Sequence, residues 1–270
     1  MSVDLHVHTT ESDGTWTPQE LVHQAVKRGI RTIAITDHDT TSGIRSAQTS
    51  APEGLEVIPG IEINAAAPDG ADVHIVGLWI DPENPALQER LGLLREARIV
   101  RTEKILTELR ALGIAITLDD VLKYAREDVI SRSHIASVLL EEGVVSSKAE
   151  AFERLIGEGC PAYVPRFKVE PAEAVALIFK AGGVPVLAHP GLLANLDVLP
   201  ILVEAGLVGL EVIHPSHDAA QTEFYMELAR RCNLLPSGGS DCHGPGGKDQ
   251  VFLGSYTIPE EWVLQLAARR

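Results

Sequence analysis

Short apolar runs rich in β-branched residues recur along the chain and alternate with segments of helical period. This rhythm constrains the fold most, because it is the signature of βα units built on a parallel sheet. Seven strands are predicted, at residues 3–8, 32–36, 56–64, 72–80, 184–189, 208–214 and 234–240. Between the first two, Thr17-Pro18-Gln19-Glu20 supplies an N-cap, a proline at the first helical position and a glutamate three residues after the cap. Gly29 then stops the helix. Further helices are predicted at 171–181, 197–205 and 218–231, and from 259 onward. Residues 85–169 break the rhythm, reading as consecutive helices at 87–112, 118–125, 134–142 and 148–158 with no strand between them. The expected organisation is an α/β barrel domain from 1–84 and 170–270, interrupted by a helical insertion at 85–169 that contributes to the substrate pocket.

Composition fits a folded domain of barrel size, since 45% of the 270 residues are apolar and can form a large core. No apolar run reaches membrane-spanning length and no basic, apolar leader opens the chain, so a soluble, cytoplasmic protein is expected. Cys160, Cys232 and Cys242 are odd in number and lack CxxC spacing, which argues against a disulfide framework and against a thiolate zinc site. The formal net charge of −15 opposes binding to duplex nucleic acid, which requires basic surface. It does not oppose a small phosphorylated substrate, because bound divalent cations reverse the field within a site.

The candidate chemistry follows the predicted strands. His6 and His8 close the first, His38 follows the second, Glu62 lies in the third and His74 in the fourth. His189 ends the fifth, and Asp241 and His243 follow the seventh. In a parallel barrel the rim at the strand C-termini carries the active site, and core packing gives no reason to gather imidazoles there. The strand period puts His6 and His8 on one face with Val7 opposite, and Asp241 and His243 on one face with Cys242 pointing away as a structural residue. Alone, an HxH pair is more often a pair of exposed or core-satisfied histidines, and His74 or His189 alone is more often a satisfied core group. Their convergence on one rim favours a metal centre. Asp37 and Asp39 are read as supporting or turn-forming groups beside His38. Oxygen and nitrogen donors without cysteine suit manganese, zinc or iron.

In order along the chain, several segments resemble the motifs of the PHP (polymerase and histidinol phosphatase) superfamily. They are His6-Val7-His8-Thr9-Thr10 with Ser12-Asp13-Gly14, Ile35-Thr36-Asp37-His38-Asp39, Pro59-Gly60-Ile61-Glu62-Ile63, Val73-His74-Ile75-Val76-Gly77, Ala188-His189-Pro190-Gly191 and Gly239-Ser240-Asp241-Cys242-His243-Gly244. The resemblance implies a distorted (β/α)7 TIM-like barrel and up to three divalent ions, manganese first among them. By position, His6, His8, Glu62 and Asp241 would hold one ion. Glu62 would bridge to a second on His74 and His189, and Asp13, His38 and His243 would hold a third. Ser131-Arg132-Ser133-His134-Ile135 and the segment from Glu211 to His217 resemble the branch of nucleoside 3′,5′-bisphosphate phosphatases and of 5′-to-3′ exonucleases on short RNA.

The implied reaction is hydrolysis of a phosphomonoester by a metal-bridging hydroxide, with the 3′-phosphate of a nucleoside 3′,5′-bisphosphate as the first expectation. Short-RNA exonuclease activity, a histidinol-phosphate or sugar-phosphate phosphatase, an amidohydrolase and an inactive metal-stabilised binding domain are the alternatives. Asp241, His217 and Arg132 are the expected catalytic residues, and Arg132, Ser133, His134 and His217 the expected substrate contacts. A guanidinium suits phosphate, and imidazole titrates near neutrality and can protonate a leaving group. His214 is expected to be structural, His23 a surface or packing residue, and the Arg166 and Lys168 pair a solvated loop or a border of the substrate.

Overall fold

The computed structural model describes residues 2–124, 130–165, 167, 169–246 and 251–270. Seven strands form one sheet in the order β1 to β7: Ser2–Val7, Ile30–Ile35, Glu56–Ala66, Asp72–Leu78, Val184–Leu187, Gly209–Ile213 and Leu235–Gly238. Val7 also bridges Cys242, just past β7, and His8 N–H donates to the Cys242 carbonyl at 3.0 Å. This link joins the first strand to the chain leaving the last and closes the sheet into a distorted barrel.

The sheet is not parallel throughout, as its sequence rhythm had suggested. β4 runs antiparallel to both β3 and β5. The cause is the connection: β3 and β4 are separated by a turn at residues 67–71, too short for the crossover that a parallel pair requires. β3 is long enough to serve two partners. Its first residues pair with β2 through Pro59↔Ile35, and its later ones pair with β4 from Gly60↔Leu78 onward.

Helix α1, Pro18–Lys27, begins with the capping box read from its sequence: the Thr17 side chain accepts from Glu20 N–H and the Glu20 carboxylate reaches back to Thr17. Helix α2, Ser42–Ser50, is not among the predicted helices. Its sequence, SGIRSAQTS, is made mainly of weak helix formers, and burial of Ile44 and Ala47 supports it instead. Along β1 the strand alternation separates two tasks. Val3, Leu5 and Val7 face apolar packing, and Asp4 and His6 occupy the other face, all of them buried. Val3 and Leu5 join a core with Leu78, Val186 and Leu266 of helix Glu260–Ala267.

The chain divides into two compact units, Met1–Glu89 with Lys168–Arg270, and Arg90–Phe167. The first boundary falls inside helix α3, Pro85–Ala111, a few residues beyond the expected start of the insertion at residue 85. The second unit continues with α4 (Leu118–Leu122), α5 (Arg132–Glu141) and α6 (Lys148–Ala151), then a π-helical turn over Phe152–Ile156. Its own core includes Ile105, Leu109, Val121, Ile135, Leu139 and Ile156. No described helix is long and apolar enough to cross a membrane.

Gly60 marks the point where β3 changes partner. A Cβ there would stand 2.8 Å from the Ile35 carbonyl oxygen and 3.0 Å from that of Gly77, both backbone atoms of flanking strands. Gly60→Ala should therefore destabilise the fold by about 2 kcal/mol through overpacking, read as a lower urea midpoint. An unchanged midpoint would mean that the two strands do not press on this position.

Candidate metal centre

The reversed strand explains how His74 reaches the same rim as the other candidates. His74 is the third residue of β4, and because β4 is antiparallel its beginning lies where the parallel strands end. Glu62 sits in the extension of β3 beyond the β2 pairing, opposite Val76. Backbone bonds fix it against the loop after β2: Glu62 N–H donates to the Asp37 carbonyl and Asp39 N–H to the Glu62 carbonyl. Three non-glycine residues at this rim, Asp39, His189 and Asp241, have φ of 51°, 27° and 50°. Such backbone strain collects where side chains must be aimed into a site.

Glu62 is fully buried, and five imidazoles surround its carboxylate. Oε1 lies 3.0 Å from His74 Nδ1 and 2.9 Å from His189 Nε2. Oε2 lies 2.9 Å from His38 Nδ1, 3.3 Å from His8 Nε2 and 3.4 Å from His6 Nε2. Asp241 Oδ1 adds a second oxygen beside the first strand, 3.0 Å from His8 Nε2 and 3.4 Å from His6 Nε2. Asp13 Oδ1 lies 3.2 Å from His243 Nε2, and Asp13 Oδ2 lies 3.8 Å from His38 Nε2. All nine side chains predicted as ligands thus lie around one cluster.

Outer contacts fix the imidazoles with a nitrogen facing the cluster. His6 Nδ1 donates to Glu211 Oε1 at 3.1 Å, and His243 Nδ1 donates to the Asp241 carbonyl at 2.7 Å. His8 Nδ1 lies 3.4 Å from Ser12 Oγ, whose hydroxyl donates to Asp37 Oδ1 at 2.6 Å. Each bond leaves the Nε2 lone pair for a metal, the usual arrangement of carboxylate- or carbonyl-backed histidine ligands. Asp37 also accepts from the Thr9 backbone and hydroxyl, and Asp39 accepts twice from Asn64, so both are supports, as read.

The residues fit divalent cations by a direct structural criterion. His6 Nε2, His8 Nε2, His38 Nδ1, Glu62 Oε2, Asp241 Oδ1 and His243 Nε2 are buried polar atoms that point at one another without forming a hydrogen bond. Buried polar atoms are almost always paired, so a convergent set without such bonds is shaped for another partner. Four overlapping groups have ligand atoms within 4.8 Å of one another: His8, Asp13, His38 and His243; His6, His189 and Asp241; His6, His8 and Glu62; His38, Glu62 and His74. The grouping overlaps more than the sequence assignment does, since His8 belongs with Asp13 as well as with Glu62.

Electrostatics point the same way. Burial alone would raise the Glu62 and Asp241 carboxyls, but the surrounding imidazoles hold both well below the usual range. Burial would lower His38, yet Glu62 and Asp13 outweigh it and lift that imidazole to about 9. His6 and His243 are likewise raised against burial, by Glu211 and Asp13 respectively. Burial, helped by the neighbouring His243 and His38, pushes His8 down to about 4. Without metal, protons on some of these rings supply the positive charge that the carboxylates demand.

The remaining candidates divide. His217, expected to meet substrate or protonate a leaving group, has both ring nitrogens engaged by the backbone. Nδ1 donates to the Val212 carbonyl at 2.9 Å and Nε2 accepts from Gly191 N–H at 3.0 Å. Burial lowers its pKa, and the two bonds brace the turn after β5. His214 is structural, as read: its Nδ1 accepts from Ser216 N–H and its Nε2 faces Asp241 Oδ2 at 3.4 Å. In the helical unit, Arg132 opens α5, donates to the Ile156 carbonyl and stacks on Phe152 and Tyr163. His134 Nδ1 accepts from Ser131 N–H, completing the cap of α5, and Ser133 occupies the same first turn. Arg166 and Lys168 lie outside the described residues. Cys242 points away from the cluster and its thiol donates to the Val251 carbonyl. Glu211 and Asp4 are buried carboxyls beside the cluster for which no role was legible in the sequence. Asp4, buried and pushed up to about 6 by that burial, accepts from Ser240 N–H and Gly254 N–H and so anchors the approach to Asp241.

Because His38 holds a proton up to about pH 9 in the metal-free site, a cation must displace it. Loading stripped protein with manganese at pH 7.5 should release protons, and apparent affinity should rise as pH approaches about 9. Parallel calorimetry in buffers of different ionisation enthalpy measures this. Binding without proton release, and with affinity flat from pH 7 to 9, would contradict the electrostatic account.

The chain as a whole is similar to known proteins. The PHP domain family model matches residues 4–155. The chain is 36% identical over 260 residues to a 3′,5′-nucleoside bisphosphate phosphatase of Chromobacterium violaceum, covering 92% of this chain and 90% of that one. It is 36% identical to a phosphoribosyl 1,2-cyclic phosphate 1,2-diphosphodiesterase of Eggerthella lenta, covering 92% and 96%. It is also 36% identical to the 5′-3′ exoribonuclease Rnm of Escherichia coli, covering 90% and 85%. Among solved structures, a Bifidobacterium adolescentis protein assigned as a metal-dependent phosphoesterase superposes with a TM-score of 0.87 at 36% identity, covering 99% and 96%. A Chromobacterium violaceum structure described as an amidohydrolase, with bound sulfate and no metal, gives 0.85 at 33% identity, covering 100% and 97%. Barrel, ligand cluster and relatives agree: the chain belongs to the PHP domain family and is a metal-dependent phosphoesterase.

Proposed function

We propose that the chain hydrolyses a phosphomonoester of a small nucleotide, most specifically the 3′-phosphate of a nucleoside 3′,5′-bisphosphate, using up to three divalent ions. The observation that carries the metal chemistry is the set of buried donor atoms around Glu62 that converge without hydrogen-bonding one another. The substrate rests on the 36% identity to the bisphosphate phosphatase over nearly the whole of both chains. Manganese is the ion we favour, because the donors are imidazoles and carboxylates with no thiolate.

In this reading His6, His8, Asp13, His38, Glu62, His74, His189, Asp241 and His243 hold the ions. Bound ions would bring the pKa of water towards about 7, orient the phosphate and neutralise charge on its oxygens. Glu62 has two oxygens facing different imidazoles and so suits a bridging role. Asp241 stays ionised at neutral pH, which makes it an acceptor that orients groups beside the first strand and not a proton donor. Arg132, Ser133 and His134 are our candidates for phosphate recognition. A guanidinium stacked on two aromatic rings keeps a fixed orientation and retains donors for a planar pair of phosphate bonds.

Short-RNA exonuclease activity is the second reading, favoured by equal identity to the Escherichia coli exoribonuclease. The test is product analysis with adenosine 3′,5′-bisphosphate beside a 5′-phosphorylated trinucleotide. The first reading expects inorganic phosphate and a 5′-monophosphate from the former, with slower or no turnover of the latter. Faster release of mononucleotides from the trinucleotide would replace it with the exonuclease reading. Arg132→Ala should lower kcat/KM about 10- to 100-fold, the worth of a charge-assisted phosphate contact, and an unchanged value would remove Arg132 from the site.

A further inference from the structure

β6 contributes none of the nine proposed ligands, yet it and the residues that follow touch several of them. Glu211, on β6, is 3% exposed. Its Oε1 accepts from His6 Nδ1 at 3.1 Å, and its Oε2 accepts from the His189 backbone N–H at 2.7 Å. These two histidines come from opposite ends of the barrel domain in sequence, on β1 and after β5. We propose that Glu211 is a shared positioning residue for the metal centre, setting the ring nitrogen that His6 presents and holding the strained backbone from which His189 projects. The proposal rests on the metal-centre reading above.

Two features make His189 dependent on such a hold. Its φ of 27° and ψ of 59° lie in the left-handed region, which is strained for a residue with a side chain. Its Nε2 must nevertheless arrive 2.9 Å from Glu62 Oε1. The turn is clamped again two residues later, where Gly191 N–H donates to His217 Nε2. A Cβ on Gly191 would stand 2.5 Å from the His217 ring, so the turn and the brace are in full contact. His217 is in turn bonded to the Val212 carbonyl on β6. The same strand therefore grips residues 189–191 at both ends.

On the His6 side, the bond to a carboxylate places the proton on Nδ1 and turns Nε2 towards Glu62 and Asp241. Glutamine at position 211 has one acceptor oxygen in place of two and a donor amide that would oppose one of the N–H groups. Because Glu211 Oε2 lies 2.7 Å from His189 N and also 3.4 Å from His6 Nδ1, Glu211→Gln keeps a full-strength contact to one histidine at most and weakens the hold on the other. The group His8, Asp13, His38 and His243 includes neither His6 nor His189, which gives an internal reference within the same molecule.

The experiment strips wild-type and Glu211→Gln protein with chelator, reloads both over a manganese series, counts ions per chain, and locates them by anomalous scattering. The expected result is about 10- to 100-fold weaker binding of ions contacting His6 and His189, with binding at the His243 group unchanged. Equal affinity at all positions, or a uniform fall that includes the His243 group, would each overturn the proposal. The uniform fall is what a merely structural role predicts. If Glu211→Gln does not fold, Glu211→Asp, which keeps the charge but falls one methylene short, undergoes the same titration. Wild-type protein that takes up no manganese would instead refute the metal-centre reading, so the two failures are distinguishable.

Discussion

The structure turns on one buried carboxylate. Glu62 sits with no solvent exposure among His6, His8, His38, His74 and His189, all with a ring nitrogen within 3.4 Å of its oxygens. Burying an ionised carboxylate costs several kcal/mol unless positive charge and hydrogen bonds compensate it. Imidazoles answer that demand only in part, because as metal ligands they are neutral and as cations they repel one another. His8, depressed to about 4 while His38 beside it rises to about 9, displays that conflict. Divalent ions resolve it by supplying charge to the carboxylates while leaving the rings neutral.

The barrel is distorted in ways that serve this arrangement. β3 outruns its pairing with β2, and the extra length carries Glu62 to the rim. β4 is reversed by a short turn, and the reversal brings His74, near its beginning, to the rim formed by the ends of the parallel strands. Asp39, His189 and Asp241 take left-handed backbone angles there, so local stability is spent on aiming side chains. The overall charge of −15 and the concentrated acidity of the cluster are compatible with a phosphorylated substrate only once cations occupy the centre.

Much of this was legible in the sequence. All seven strands were, because each is a short apolar run bounded by polar or turn residues, and eight of the nine candidate ligands were, because imidazoles and carboxylates gathered at strand ends have no packing rationale; Asp13 came only through the resemblance to the PHP superfamily. The direction of β4 was not, since periodicity records which face a residue occupies and not which way the strand runs. Helix α2 was hidden by its weak helix formers and is held by tertiary burial. Glu211 opens a segment that resembles a family branch, but only the fold reveals that it meets His6 from a distance of 205 positions. His217 shows the same thing: a histidine near a site looks available in sequence, and only the fold shows both ring nitrogens in backbone bonds.

The central claim is that Glu62 is the common ligand of a multinuclear divalent centre. The most direct measurement is the manganese content of Glu62→Gln beside that of the wild type, after equilibration at the same free manganese concentration and with the fold of both checked by circular dichroism. More than one ion per wild-type chain, falling in the variant to at most the single ion that Asp13, His38 and His243 could hold without Glu62, is the result expected. A folded Glu62→Gln protein that keeps the full wild-type complement would contradict the account.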